Sequence, residues 1–221
     1  MIVKHFQREL DKVKKMILSL GALVEQGVHR IKAAIEERNV VLARDIMRLD
    51  HEIDEMEVEI EEECLKIIAL HQPVAADLRF LIAVVKINND LERIGDQVVN
   101  IAQRVQQIAK QPVAPYQFDY SVMAEKAETM LRMSLDSLVN QDLDMAIEVL
   151  KLDDEVDKLK NEAYDRIKQA MADGATKDIG YMINLLLISR HIERLGDHAT
   201  NIAEEVIYMI EGEIVRHGKL D

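Results

Sequence analysis

Residues 91–102 read LERIGDQVVNIA, and residues 192–203 read IERLGDHATNIA. Between Glu92 and Ala102, seven of the eleven positions are identical in the second segment, including the Glu, Asp and Asn. A hydrophobic helix face alone would repeat only the apolar character of its residues. The segments lie 101 residues apart, which is too long for a solenoid unit and indicates two copies of one small domain.

The composition of the 221-residue chain argues against two classes of protein, disordered proteins and nucleic-acid-binding proteins. Hydrophobic residues make up 48%, which is enough to bury a core and argues against disorder. Asp and Glu number 41 against 28 Lys and Arg, and this excess of negative charge opposes binding to a phosphate backbone. Aromatic residues make up only 4%, with no Trp, so few side chains could stack on bases. We therefore expect no nucleic-acid role.

No segment of the sequence predicts export or a membrane span. The longest apolar run near the motif covers residues 80–85 and ends at Lys86, well short of the ~18–20 residues that a span needs. The first residues lack the apolar region of a signal peptide. The single cysteine, Cys64, excludes an internal disulfide and a thiolate metal cage. These features predict a cytosolic protein.

Helical signals dominate the chain, which has only eight glycines and three prolines. Asn39 and Asp142 occupy equivalent positions in the two halves, and both are good N-caps. The segment 111–116 contains two prolines, cannot continue a helix and separates the halves. The predicted helices cover residues 3–38, 40–70, 74–110, 119–140, from the Asp142 cap to 172, and 177–211, with turns at 71–73 and 173–176.

Long helices joined by short turns must pack antiparallel. We therefore predict an all-α fold of two tandem, similar three-helix bundles, residues 1–110 and 117–221, with six helices in up-down, left-handed packing. Apolar residues follow a 4-3 spacing that is typical of core stripes. In the third helix this stripe runs from Phe80 to Ile108, and in the sixth from Tyr181 to Met209. Cys64 lies on the stripe of the second helix, so a buried thiol is predicted.

Pairs of acids four residues apart lie beside these core stripes on two helices of each half. Two acids at this spacing repel each other and cost an isolated helix roughly 0.2–0.5 kcal/mol. A cation should compensate, either nearby Arg93 and Arg194 or a bound metal ion. A solvated acidic face is the ordinary interpretation of one such pair, but four pairs at matched positions favour a site. The eight acids are Asp50, Asp54, Glu92 and Asp96 in the first half, and Asp153, Asp157, Glu193 and Asp197 in the second.

The chemistry of these residues limits what a site could hold. Ligands that are all oxygen favour hard or intermediate ions, namely Mg²⁺, Mn²⁺, Ca²⁺ or Fe, over Zn²⁺. The acids lie off the core stripes, and the chain has no Glu-x-x-His motif, so we expect a surface site rather than a buried di-iron centre. The chain also lacks a Ser-His-Asp signature and a Gly-rich phosphate loop.

Gly95 and Gly196 lie inside predicted helices, beside the acids. Glycine in a helix costs about 1 kcal/mol relative to Ala. Close approach of a neighbouring helix is the common explanation, and room for an ion or a partner is the alternative.

Two histidines, His191 and His198, adjoin the second copy of the motif. Asp90 and Gln97 replace them in the first copy. A histidine present in only one copy favours local surface chemistry over a shared metal ligand.

Taken together, these residues resemble the PhoU family along essentially the whole chain. The resemblance rests on residues 71–79, HQPVAADLR, on the two motif copies at 91–102 and 192–203, and on the Asp-x-x-x-Asp elements of the second and fifth helices. It implies six helices in two similar three-helix bundles. It also implies metal ions, with Fe, Mn or Mg expected, at surface Glu/Asp-x-x-x-Asp pairs that correspond to the eight acids named above.

The resemblance also implies a regulator rather than an enzyme. The family looks like adaptors that link the nucleotide-binding subunit of a phosphate ABC transporter to a sensor histidine kinase, and that negatively regulate phosphate uptake and phosphate-regulon signalling. A homodimer is expected, with membrane association only through partners. Two other classes stay open: a metal-dependent enzyme, which needs open coordination positions and a base in a pocket, and a purely structural bundle.

One departure distinguishes the two halves. Glu57 and Glu61 in the first half correspond to Lys160 and Tyr164 in the second. We therefore expect the two sites to differ in affinity or in metal number. The first site is the better supplied with negative charge.

Overall fold

The computed structural model describes residues 2–112, 118–173 and 179–213. Within these ranges the chain forms α-helices and no strand. The helices are α1 (Ile2–Glu37), α2 (Val40–His71), α3 (Ala75–Ile108), α4 (Tyr120–Asn140), α5 (Leu143–Ala172) and α6 (Ile179–Glu211). The all-α class is confirmed, and the predicted helix ends that fall on described residues agree to within two residues. Three predicted features fall wholly or partly outside the described residues: residues 113–116 of the linker at 111–116, residues 174–176 of the turn at 173–176, and the start of the sixth helix at 177.

The predicted N-caps begin α2 and α5. The Asn39 side chain accepts hydrogen bonds from the backbone N–H groups of Val41 and Leu42, at 3.1 and 3.0 Å. The Asp142 carboxylate accepts from the N–H of Met145 at 3.0 Å. Each cap satisfies N–H groups that the first turn of a helix leaves without a partner. The first two helices of both halves are therefore joined in the same way.

Helices α3 and α6 form the centre of the molecule. Helix α3 packs against α1 and α2, and α6 packs against α4 and α5, so each half is a three-helix bundle. Helices α3 and α6 also pack along each other, and α1 contacts α4. The α3–α6 pair is antiparallel, because Lys86 contacts Glu205 whereas Gln97 contacts His191. The prediction of two similar three-helix bundles is confirmed, and the domain boundaries at 110 and 117 stay predictions.

The predicted core stripes are buried in one apolar cluster that runs through both halves. Leu91, Ile94 and Ile101 on α3 are fully buried, and so is Cys64 on α2. The predicted buried thiol of Cys64 is confirmed, and this burial raises its pKa to about 12. None of the helices in the described parts of the chain combines the length and the apolar character needed to cross a membrane.

Helices α3 and α6 each carry a second buried stripe, which the 4-3 spacing does not predict. On α3 the stripe faces α2: the Asn88 amide donates to the Glu57 carbonyl at 2.8 Å, and Gly95 lies against Ile53. A central helix packs on several sides, so its buried arc is wider than that of an outer helix. The stripe consists of Leu81, Asn88, Gly95 and Ala102 on α3, and of Met182, Ser189, Gly196 and Ala203 at the equivalent positions of α6.

Candidate metal centre

The first four predicted ligands come together between α2 and α3. We call Asp50 and Asp54 on α2, with Glu92 and Asp96 on α3, the first cluster. The pKa of Asp50 is raised, mainly by burial and then by the negative charges of Asp54 and Asp96. The pKa of Glu92 is raised by burial and by Asp96, with a smaller contribution from Asp54. The four carboxylates therefore act on one another across the helix pair.

Arg93 partly neutralises the first cluster from the α3 side. Its Nε lies 3.4 Å from Oε2 of Glu92, and its Nη1 lies 3.0 Å from Oδ2 of Asp96. The arginine is half-exposed, and ion pairs in such positions contribute little to stability. Both of its partners belong to α3, and no ion pair between described residues joins α2 to α3.

Glu57 extends the first cluster by one turn of α2. Its pKa is raised by burial, Glu61 and Asp54, while Arg93 lowers it. On α3, Oε2 of Glu92 is shielded from water and accepts no hydrogen bond from the described residues. A shielded carboxylate oxygen that accepts no hydrogen bond is costly, and the half-exposed Arg93, 3.4 Å away, offsets only part of that cost. This oxygen and the all-oxygen donor set fit a hard cation such as Mg²⁺ or Mn²⁺.

The other four predicted ligands come together between α5 and α6. We call Asp153 and Asp157 on α5, with Glu193 and Asp197 on α6, the second cluster. The pKa of Asp197 is raised to about 6, mainly by its partial removal from water and then by the charges of Glu193, Asp153 and Asp157. The pKa of Asp153 is also raised, first by burial and then by Asp157. The grouping of the first cluster is therefore repeated in the second.

Lys160 distinguishes the second cluster from the first. Its Nζ lies 3.2 Å from Oδ1 of Asp157 and 2.9 Å from Oε1 of Glu193, so it joins α5 to α6. The hydrogen bond to Glu193 raises the pKa of Lys160 and keeps the ammonium charged. Arg194, considered above as a compensating cation, is exposed and makes no ion pair with the described residues. The compensating cation of the second half is Lys160.

Within residues 2–112, 118–173 and 179–213, no three His, Cys, Asp or Glu side chains are arranged to hold a metal ion. The acids of each cluster are neighbours, but their oxygens do not converge on one point. The eight metal ligands therefore stay a prediction. The structure shows their grouping, with four acids in each half and two on each helix.

The two motif glycines differ in their surroundings. A Cβ on Gly95 would lie 3.1 Å from Cδ1 and 3.3 Å from Cγ2 of Ile53, which is closer than ordinary contact. A Cβ on Gly196 would meet its nearest atoms, in Met130 and Val156, at 3.6 Å. Close approach of α2 and α3 therefore explains Gly95. It does not explain Gly196, where a methyl group has room.

His191 and His198 lie in the interface between α3 and α6. The Nδ1 of His198 lies 2.9 Å from Oδ1 of Asp90, and the Nδ1 of His191 lies 2.9 Å from Oε1 of Gln97. In the first copy of the motif, Asp90 occupies the position of His191 and Gln97 occupies the position of His198. His198 therefore contacts the equivalent of His191, and His191 contacts the equivalent of His198. Their interpretation as local surface residues is wrong, since both are partly buried where the two copies meet.

A cleft of about 660 Å³ opens where α2 meets the α3–α6 interface. Glu57, Glu61 and Asp90 line it together with Lys86, whose Nζ lies 2.9 Å from both carboxylate oxygens of Glu205. The sequence pattern contains no signal for this cleft or for the Lys86–Glu205 pair. Apolar periodicity shows which face of a helix is buried, but not which helices of the two halves meet.

Comparison with known proteins shows relatives that match both halves. A family model described as the PhoU domain matches residues 17–105 and 120–206. Two relatives are each named a phosphate-specific transport system accessory protein PhoU homolog. The Pseudomonas putida protein is 35% identical over 217 residues, which cover 98% of this chain and 84% of that protein. The Aquifex aeolicus protein is 36% identical over 213 residues, which cover 95% of each.

Two solved structures share the arrangement of the helices. The crystal structure of PhoU from Pseudomonas aeruginosa superposes with a TM-score of 0.91 at 34% identity, covering 94% of this chain and 100% of that chain. The phosphate transport system regulatory protein PhoU from Streptococcus pneumoniae gives a TM-score of 0.89 at 29% identity, covering 96% of this chain and 100% of that one.

Proposed function

The chain belongs to the PhoU family, and from this membership we propose that it is an adaptor that restrains phosphate uptake and phosphate-regulon signalling when phosphate is plentiful. Relatives are named as accessory proteins of the phosphate-specific transport system. The chain is accordingly a regulatory accessory protein of phosphate transport and not an enzyme. The observation that carries the proposal is the match to such a protein over 98% of the chain.

The proposed adaptor has two partners. One is the nucleotide-binding subunit of a phosphate ABC transporter, and the other is a sensor histidine kinase. The adaptor acts as a homodimer in the cytoplasm and reaches the membrane only through these partners. The support is the family membership, which extends over both three-helix bundles.

Deletion of the gene tests the adaptor. We expect the deletion to raise expression from a phosphate-regulon promoter in high-phosphate medium, because the adaptor holds signalling off there. Tagged protein from phosphate-replete cells should recover the two named partners, identified by mass spectrometry. Light scattering of the purified protein should give the mass of two chains. Unchanged expression, with neither partner recovered, would contradict the proposal.

We further propose that the first cluster holds a metal ion, with Mg²⁺, Mn²⁺ or Fe as the candidates. Asp50 and Asp54 hold it from α2, and Glu92 and Asp96 hold it from α3. The bound ion supplies the positive charge that the cluster lacks. Because the ligands come from two helices, their joint hold cross-links α2 to α3 and stabilises the fold by mass action. Oε2 of Glu92 supports this assignment, because it is shielded from water, accepts no hydrogen bond from the described residues and has only a half-exposed arginine, Arg93, at 3.4 Å.

Removal of the two α3 acids tests the metal. We expect Glu92→Ala with Asp96→Ala to lower the metal content of protein purified without chelator. The fold should stay intact, because neither side chain lies on a buried stripe. Elemental analysis and thermal melts with and without EDTA measure both effects. A control, Glu59→Ala with Glu62→Ala, removes the same charge from exposed positions of α2. Equal metal content in the wild type and both double variants would show that these acids only form a solvated face of the helices.

A further inference from the structure

The two clusters differ in the charge of one side chain at an equivalent position. Seven residues after the first acid of each cluster, α2 carries Glu57 and α5 carries Lys160. We infer that Lys160 is the built-in cation of the second cluster, so that only the first cluster needs an added metal ion. This inference rests on the metal ion proposed for the first cluster. In this inference an ion pair of Lys160 joins α5 to α6, whereas a metal ion joins α2 to α3.

Lys160 spans the helix pair of the second cluster. Its Nζ, from α5, lies 2.9 Å from Oε1 of Glu193 on α6 and 3.2 Å from Oδ1 of Asp157 on its own helix. The Lys160 side chain is 28% exposed and that of Glu193 is 19% exposed, so salt screens this pair less than a fully solvated one. A cation here neutralises one carboxylate from each helix, which is the role of a bridging metal ion.

The first cluster lacks such a bridge. Glu57 stands at the position equivalent to Lys160 and adds a negative charge beside Asp54. Arg93 pairs with Glu92 and Asp96 on its own helix. Among the described residues, no ion pair joins α2 to α3. The repulsion between the α2 and α3 carboxylates is therefore left for an added ion to relieve.

The second cluster is also a poorer set of metal ligands. Hard divalent ions take roughly six or more oxygen ligands. Lys160 occupies one oxygen of Asp157 and one of Glu193, and Tyr164 replaces the carboxylate of Glu61. A metal ion would have to displace the ammonium and would be repelled by its charge. These donors therefore do not fit a metal ion while Lys160 is in place.

Exchanging the two charges tests the inference. The full-length protein is stripped with EDTA, dialysed and titrated with Mn²⁺ by calorimetry, and thermal melts are recorded in EDTA and in Mn²⁺. We expect Lys160→Glu to add a second set of sites, which about doubles the Mn²⁺ bound per chain. Its melting temperature should also depend more strongly on Mn²⁺. Glu57→Lys should lose the wild-type Mn²⁺ and should melt at the same temperature in both conditions.

Two controls keep the comparison specific. Lys158→Glu makes the same charge change at an exposed position on α5, two residues from Lys160, and should behave like the wild type. Lys160→Gln removes the ammonium without adding a carboxylate. It should lower the melting temperature in EDTA, because the α5–α6 bridge is lost. Circular dichroism establishes that each variant is folded.

Three outcomes test the role of Lys160 and the metal ion of the first cluster. If the wild type binds Mn²⁺ equally at both clusters, so that Asp153→Asn with Asp157→Asn halves the binding, the inference is overturned. It is also overturned if Lys160→Glu and Lys160→Gln change neither Mn²⁺ binding nor stability. If the wild type binds no Mn²⁺ but Lys160→Glu does, the metal proposed for the first cluster fails while Lys160 keeps its assignment.

Discussion

At the scale of single residues, equivalent positions in the two halves carry different constraints. Glu57 and Lys160 have opposite charges beside matching acids, and Lys160 forms an ion pair between α5 and α6 that has no counterpart between α2 and α3 among the described residues. Gly95 and Gly196 are the same residue, yet a methyl group would crowd Ile53 at the first and find room at the second. An identical residue in a repeat therefore need not have an identical cause.

The two glycines give a matched pair of variants. We expect Gly196→Ala to raise the free energy of unfolding by up to about 1 kcal/mol, because Ala has the higher helix propensity. Gly95→Ala carries the same propensity gain, but its methyl group would lie 3.1 Å from buried Ile53, so the gain should be cancelled or reversed. Urea denaturation of both variants measures the difference. Equal stabilisation would show that α2 is free to move away from α3.

At the scale of helices, the α3–α6 interface is polar along part of its length. Lys86 pairs with Glu205, and His191 contacts Gln97. The positions at which the motif copies differ meet each other here, because an antiparallel pair of equivalent helices brings position 90 to 198 and position 97 to 191. Identical copies would have repeated one pair of side chains at both contacts, whereas the diverged copies form two different pairs, Asp90 with His198 and Gln97 with His191.

The α3–α6 interface predicts a pH dependence of stability. Burial lowers the pKa of His191 to about 4, and Arg104, Arg194 and Arg190 add to this effect. In the unfolded chain the pKa is about 6.5. Between these values the unfolded state binds a proton at His191 that the folded state does not, so stability falls as the pH is lowered through this window. We expect His191→Gln to remove that part of the loss.

Urea midpoints at pH 7 and pH 5, measured in EDTA, test this dependence. The wild type should lose more stability between the two values than His191→Gln does. His51→Gln is the control, because His51 is exposed on α2 and makes no ion pair with the described residues. If His191→Gln and the wild type lose the same amount, His191 is protonated in the folded protein at pH 5.

At the scale of the whole molecule, the two bundles share one core. Helices α3 and α6 each contribute a wide buried arc, and the apolar cluster is continuous across the halves. Each bundle taken alone would expose the face of its central helix that packs on the other. The pair therefore gains hydrophobic stabilisation that neither half has by itself.

This sharing predicts that the two halves unfold together. Cys64 lies in the first half, and its buried thiol reacts with a thiol reagent only when that half opens. All five tyrosines lie at position 116 or later and, with no Trp in the chain, their fluorescence reports the second half. We expect thiol labelling and tyrosine fluorescence to give the same urea midpoint. Two separate midpoints would show that the halves are independent domains.

Much of the fold could be predicted because its signals are local. The helix caps at Asn39 and Asp142 depend on hydrogen bonds within three residues of the cap, and the structure has both. The 4-3 stripes depend only on the helical period, and their central residues are buried. The pairing of acids on neighbouring helices followed because helices joined by short turns pack side by side.

The functional detail of the clusters was less accessible to sequence reasoning. Arg194 and Lys160 are both cations near the second cluster in the chain, yet only Lys160 crosses to the acid of the neighbouring helix. The choice depends on the direction of a long side chain, which spacing along the chain does not specify. The two histidines were misinterpreted for a related reason, since their partners lie on a helix of the other half.

The sequence by itself determined six helices, two related halves and the acids that face each other within each half. These features arise from interactions within a helix or between helices joined by a short turn, so their spacing along the chain is their spacing in the fold. Only the tertiary structure decided that α3 packs along α6, that one core spans both halves and that Lys160 bridges the second cluster. Contacts between elements distant in sequence depend on the shapes of complete helix surfaces, and periodicity gives the buried face of a helix without identifying its partner.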